Sequence, residues 1–107
     1  MGIFSMWNRS AGAEDLDQGV LKAQSTPGAV LLDVRTEAEY SEGHVPGSIN
    51  LPLDQLESIH YSKDTPLFVY CRSGARSGRG VEYLKRAGYE KAENIGGIIT
   101  YHGPMER

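Results

Sequence analysis

The chain has a single cysteine and a single tryptophan among its 107 residues. One thiol excludes an internal disulfide framework, and no C-x-x-C or cysteine-knuckle spacing is present. A free thiol persists most readily in a reducing compartment, which predicts a cytoplasmic protein. Long hydrophobic runs are also missing. The stretch MGIFSMWNRSAGAEDLDQG carries an apolar run too short for a signal peptide or a membrane span. N-myristoylation wants Ser or Thr at position 6, where this chain has Met6. Basic excess is lacking as well: the formal net charge of −3 speaks against nucleic acid as a partner. Internal repeats, low-complexity tracts and long linkers are absent. The length suits one domain with one hydrophobic core, and the size and composition point to a monomer.

What is present is unevenly distributed. Residues 1–64 hold 4 basic and 10 acidic side chains, whereas residues 65–107 hold 7 basic and 4 acidic ones. The positive local field belongs to the half that contains Cys71, which favours a small anionic ligand over a polyanion.

Residues 1–12 read as an N-terminal segment, flexible or packed on an edge, with IFSMW as its apolar part and FSMWN as a feeble strand candidate. Residues 13–107 read as the domain. EDLDQGVLKAQ (14–24) places Leu16, Val20 and Leu21 at helical spacing. AVLLDV (29–34) is a short apolar run that holds one acid, Asp33, as suits a strand buried on both faces. Thr36 is placed to cap a short helix, EAEYSEG, that Gly43 ends. SINLPL predicts a second strand, and DQLESI one or two helical turns with Asp54 as N-cap. TPLFVY (65–70) predicts a third strand, SGRGVEYLKRAGY a helix stopped by Gly88, and AENI (92–95) a fourth strand. GGIITYHGPMER is expected to form a turn and a frayed tail. Strand alternating with helix at this spacing predicts an α/β fold with a mostly parallel sheet of four to five strands and helices on both faces.

In such sheets ligands bind at the carboxyl ends of strands. Cys71 stands at that place, in VYCRSGARS, between the third strand and the helix that follows. A tight loop entering a helix turns several backbone N–H groups toward one point and binds anions. Gly74 supplies dihedrals closed to other residues, and Ser73 and Ser77 supply hydroxyls. A thiol at the base of such a nest, beside Arg72 and Arg76, should ionise below its free value and act as a nucleophile. The competing reading, a buried cysteine serving as a small hydrophobe, does not explain the Gly, Ser and Arg around it.

These segments carry a resemblance. LLDVR, EYSEGHVPGSINLPL, VYCRSGARS and NIGGI occur in the order found in single-domain rhodaneses, which the chain resembles from about residue 27 to residue 99. The resemblance implies a rhodanese-like fold and a sulfurtransferase without cofactor or metal. Cys71 would take a sulfane sulfur from a small anionic donor such as thiosulfate, as a persulfide, and pass it to an acceptor. That acceptor is cyanide in the standard assay, with a thiol or thioredoxin-like protein as a candidate partner. Backbone N–H groups of Arg72, Ser73, Gly74, Ala75 and Arg76 would hold the thiolate and the persulfide. Arg72 would steer the donor at the rim. Arg76 would either do the same or turn inward to a carboxylate, with Glu37, Glu39 and Glu42 as the acids at hand.

The loop count separates relatives. Cysteine phosphatases place an arginine six residues after the nucleophile, where this chain has Ser77; its arginine, Arg76, comes five residues on. The shorter C-x4-R cradle resembles sulfurtransferases and sets phosphatase or arsenate-reductase chemistry behind. A non-enzymatic sulfur-relay or redox-sensing module is the competing class.

Asp33 and Arg35, at the end of the first strand, are expected to pair rather than to contact substrate directly, and the resemblance implies that they line or buttress the site. His44 is expected to be a hydrogen-bonding loop residue, and His60 and His102 to stand apart from any cluster, so no metal site follows. The tryptophan that many members carry near the double glycine is replaced here by Tyr101 as the nearest aromatic.

Overall fold

A computed structural model of the protein describes residues 15–107. The chain runs α1 (Leu16–Gln24), β1 (Val30–Asp33), α2 (Glu37–Glu42), β2 (Ile49–Asn50), a 3-10 segment (Leu53–Ser58), β3 (Leu67–Cys71), α3 (Ala75–Arg86), β4 (Ala92–Gly97) and a 3-10 turn (Ile98–Thr100). Four strands form one sheet in the order β2-β1-β3-β4, and every pairing is parallel. The sheet is thus wholly parallel, with four strands among the described residues. The FSMWN candidate lies outside them.

β3 shows why a continuous apolar run makes a central strand. Leu67, Val69 and Cys71 face a core shared with Leu32, Leu56, Leu84 and Tyr89, under α3 and the 3-10 segment. Phe68 and Tyr70 face the opposite core with Leu16, Val20, Leu31 and Val45, under α1. All five residues of β3 are buried. Period-two alternation sends side chains to both faces, so no polar residue is tolerated on either side.

Several boundaries differ from expectation. SINLPL contributes only Ile49 and Asn50 to the sheet, because Pro52 has no N–H to donate. DQLESI is a 3-10 segment that begins at Leu53 after Pro52, not a helix capped by Asp54. β4 continues two residues beyond AENI, to Gly97, with a register shift opposite Val69 and Tyr70. The C-terminal tail is held rather than frayed. His44 and Glu106 exchange backbone hydrogen bonds of 2.8 and 2.9 Å, and His102 donates its N–H to Asp17 at 2.8 Å.

The EYSEGHVPGSINLPL stretch is a polar scaffold between α2 and the sheet. Thr36 caps α2 in a reciprocal box with Glu39. Tyr40 stacks on His44 with ring centroids 3.6 Å apart and donates its hydroxyl to the Ser48 carbonyl at 2.6 Å. The buried Tyr70 hydroxyl accepts the Val45 N–H at 3.1 Å and meets Ser48 Oγ at 3.0 Å. His44 is therefore a hydrogen-bonding and stacking residue, as its turn position implies.

Candidate active site

The carboxyl end of β3 delivers Cys71 to the N-terminus of α3. The first turns of a helix leave N–H groups without carbonyl partners, and Asp or Ser normally supplies the missing acceptor. The cap residue of α3, Gly74, has no side chain to do so. The acceptor is the sulfur itself: Gly74 donates its N–H to Cys71 Sγ at 3.0 Å, and the N–H groups of Ser77 and Ser73 also point at it. Gly74 sits at the cap with φ 104°, in the left-handed region that turns the chain back over the sulfur. α3 consequently starts at Ala75, two residues before the expected Ser77.

Burial raises the Cys71 thiol, but the Ser77 hydroxyl at 3.4 Å and the N–H groups of Ser77, Gly74 and Ser73 outweigh it. The thiol stands below its ordinary value, as an activated cysteine requires. Of the amides expected from Arg72 through Arg76, those of Ser73 and Gly74 face the sulfur. The Ser77 amide joins them.

The arginines divide. Arg76 turns inward to Glu39 in a bidentate pair, Nη1 to Oε1 at 2.7 Å and Nη2 to Oε2 at 3.0 Å. Its guanidinium holds the Glu39 carboxyl down at about 2. Glu37 and Glu42 stay exposed. Arg35 is locked to Asp33 by three side-chain hydrogen bonds of 2.7–3.0 Å and to the Gly43 carbonyl at 2.8 Å. Both members of that pair are buried, and their geometry is the ion pair expected from the DVR end of β1. Arg72, Ser73 and Ala75 are exposed on the outer side of the loop. Arg72 thus presents its guanidinium to solvent at the rim.

Behind the loop stands a residue that sequence reasoning missed. Asn94 donates to the Gly74 carbonyl at 3.1 Å, accepts the Gly96 N–H at 3.1 Å and lies 2.7 Å from Ser77 Oγ. Its signal was a polar residue inside a buried strand, two positions before a double glycine. Gly97 is the loop's other neighbour. A Cβ there would overlap the Arg72 carbonyl oxygen and Ser73 Cα, so β4 and the loop touch backbone to backbone. The Ile99 N–H completes this seam by donating to the Arg72 carbonyl at 3.2 Å. Tyr101, the aromatic nearest the double glycine, packs against the α1-side core.

One expectation is corrected. His102 does not stand apart: its ring nitrogen lies 2.7 Å from Asp17 Oδ2, and ligand-type atoms of Asp15, Asp17 and His102 lie within 4.8 Å of one another. The contact with Asp17 raises the imidazole above its ordinary value and ties the tail to α1. His60 is exposed. No helix among the described residues is long and apolar enough to cross a membrane.

Known proteins are similar to this chain in sequence and fold. The family model of the rhodanese-like domain matches residues 17–100. A sulfurtransferase of Allochromatium vinosum is 36% identical over 96 residues, covering 85% of this chain and 87% of that protein. The thiosulfate sulfurtransferase PspE of Escherichia coli is 37% identical over 71 residues, covering 63% of this chain and 68% of that protein. The crystal structure of a rhodanese-like domain protein from Staphylococcus aureus superposes with a TM-score of 0.75 at 27% identity, covering 87% of this chain and 94% of that one. With a thiol seated on the amino end of α3 and the matched residues spanning most of its length, the chain belongs to the rhodanese-like domain family.

Proposed function

We propose that this protein is a sulfurtransferase that moves a sulfane sulfur from thiosulfate or a persulfide donor to a thiophilic acceptor through a persulfide on Cys71. The observation that carries the reading is a thiol seated at the amino end of α3, with the Gly74 N–H at 3.0 Å and the Ser77 hydroxyl at 3.4 Å aimed at its sulfur. A thiolate so held attacks the outer sulfur of thiosulfate. An Sγ–S bond forms, the bond between the two thiosulfate sulfurs breaks, and sulfite leaves with the electron pair. The negative charge then rests on the terminal sulfur, above the amides that held the thiolate. An acceptor such as cyanide attacks that sulfur, departs as thiocyanate, and the thiolate returns.

The divided arginines support a particular division of labour. Arg76 and Arg35 are neutralised by Glu39 and Asp33 and act on the loop's shape. Arg72 draws the anionic donor to the rim. A thiol or thioredoxin-like protein is the acceptor class we infer, in a cytoplasmic setting that keeps Cys71 reduced.

The experiment is an intact-mass measurement after incubation with thiosulfate. Addition of a single sulfur atom, lost on adding cyanide with release of thiocyanate, is expected, and Cys71→Ser should not load. A folded protein with a free Cys71 that takes no sulfur from thiosulfate or from any persulfide donor sinks the proposal. Hydrolysis of a general aryl phosphate should be absent.

A further inference from the structure

Ser77 Oγ carries one proton and faces three acceptors: Cys71 Sγ at 3.4 Å, the Gly74 carbonyl at 3.2 Å and Asn94 Oδ1 at 2.7 Å. The orientation of the Asn94 carboxamide is fixed by its other partners. Turned over, its NH2 would meet the Gly96 N–H donor against donor, and its oxygen would meet the Gly74 carbonyl acceptor against acceptor. Oδ1 therefore points at Ser77 and can only accept. Ser77 is fully buried while Asn94 and Gly74 are half-buried, so the competition for the hydroxyl proton is set by these protein acceptors at Ser77 itself.

We propose that Asn94 is a positioning residue for Cys71: its carboxamide oxygen competes with the sulfur for the single proton of the Ser77 hydroxyl. While Cys71 is a neutral thiol, the proton lies on the short contact to Asn94. When the thiol ionises, the sulfur is the stronger acceptor and the hydroxyl turns to it, leaving Oδ1 with the Gly96 N–H alone. A hydrogen bond to an ionised acceptor is roughly twice as strong as a neutral one, which decides the direction of the turn. Asn94 thereby stabilises the thiol against the thiolate, and so limits how far the N–H groups of the cradle lower Cys71. The hydroxyl acts as a two-position contact that follows the charge on the sulfur. This device needs only the thiol and its neighbours, and it holds whichever sulfur donor the protein uses.

The test is a double-mutant cycle read on the pH dependence of Cys71 alkylation, in the full chain, with Ser77→Ala, Asn94→Ala and the pair. The other charged groups around the sulfur are Arg76 with Glu39, Asp33 with Arg35, and Arg72 on the loop. All are unchanged in every variant. Ser77→Ala should raise the apparent thiol value, because a donor to the thiolate is gone. Asn94→Ala should lower it in the Ser77 background by about half a unit, roughly a threefold gain in thiolate at fixed pH, relative to its effect in the Ser77→Ala background. Loss of the Asn94 contact to the Gly74 carbonyl is common to both backgrounds and cancels in the cycle. An equal effect of Asn94→Ala in the two backgrounds overturns the proposal and leaves Asn94 a support of the loop. Should Asn94→Ala fail to fold, Asn94→Asp serves in its place. Its carboxylate keeps the acceptor and draws the proton harder, so it should raise the thiol value more with Ser77 present than with Ala at 77. Equal shifts again overturn the proposal.

Discussion

Arg76 and Glu39, 37 residues apart in sequence, meet in two parallel hydrogen bonds that tie the start of α3 to the start of α2. The pair braces one side of the Cys71 loop and satisfies the Arg76 charge within the fold. About 30% of each side chain remains exposed, so its worth is that of a well-formed, partly screened bidentate bridge.

Glu39→Gln should cost about 1 kcal/mol at neutral pH, within the range of partly exposed pairs. The Glu39 carboxyl is depressed to about 2 from an ordinary 4.5, so its contribution is present in full above pH 4.5 and is lost as pH falls through 2. Urea midpoints of the two proteins should converge over that window. A gap that stays constant down to pH 2 would show that the glutamine acts through something other than charge.

Gly97→Ala should destabilise the fold by roughly 1–3 kcal/mol, the range for overfilling a packed contact, because its methyl group would occupy the space of the Arg72 carbonyl and Ser73 Cα. Displacing that carbonyl moves the loop amides away from Cys71. Alkylation of Cys71 at neutral pH should slow in proportion, measured beside the melting temperature. A destabilised protein with unchanged thiol reactivity would contradict the backbone seam between β4 and the loop.

Arg72→Ala should leave stability within about 0.5 kcal/mol, as expected of an exposed side chain without a partner among the described residues. Sulfur loading from thiosulfate should fall several-fold, and the deficit should shrink as ionic strength rises, because steering between charges is screened by salt. Stopped-flow loading rates across a salt series give the comparison. Equal rates at low salt would remove Arg72 from the rim.

Tyr70→Phe should cost about 1–3 kcal/mol, because the buried Val45 N–H and Ser48 Oγ lose their partner. Tyr70 points to the α1 side of the sheet while Cys71 points to the α3 side. The thiol's pH dependence should therefore be unchanged. A shifted alkylation profile would show that the two faces communicate.

The strands were legible where the physics is local and one-dimensional. LFVYC is apolar at every position and AVLLDV at every position but Asp33, and a strand with both faces covered needs such a run. Thr36 and Gly43 bounded α2 because a cap and a stop act within a few residues. The start of α3 was misread for the same reason: its cap is a sulfur three residues upstream and a left-handed glycine, and neither belongs to the usual capping vocabulary. Which of three glutamates receives Arg76 depends on how α2 is set against α3, a tertiary fact that spacing does not carry. Asn94 was overlooked because a polar side chain in a short strand reads as exposed until the loop that covers it is known. Composition predicts a frayed tail, whereas its order comes from partners some sixty and eighty-five positions away, at His44 and Asp17.

The seat of the sulfur is built from main-chain amides, one hydroxyl and one carboxamide, and the outward positions of the loop, Arg72, Ser73 and Ala75, stand clear of it. Under the proposed function, chemistry and choice of donor would fall on opposite sides of the same six residues. Exchanging the outward three offers a route to retarget the protein to donors of another charge or shape, with the nucleophile's own environment left in place.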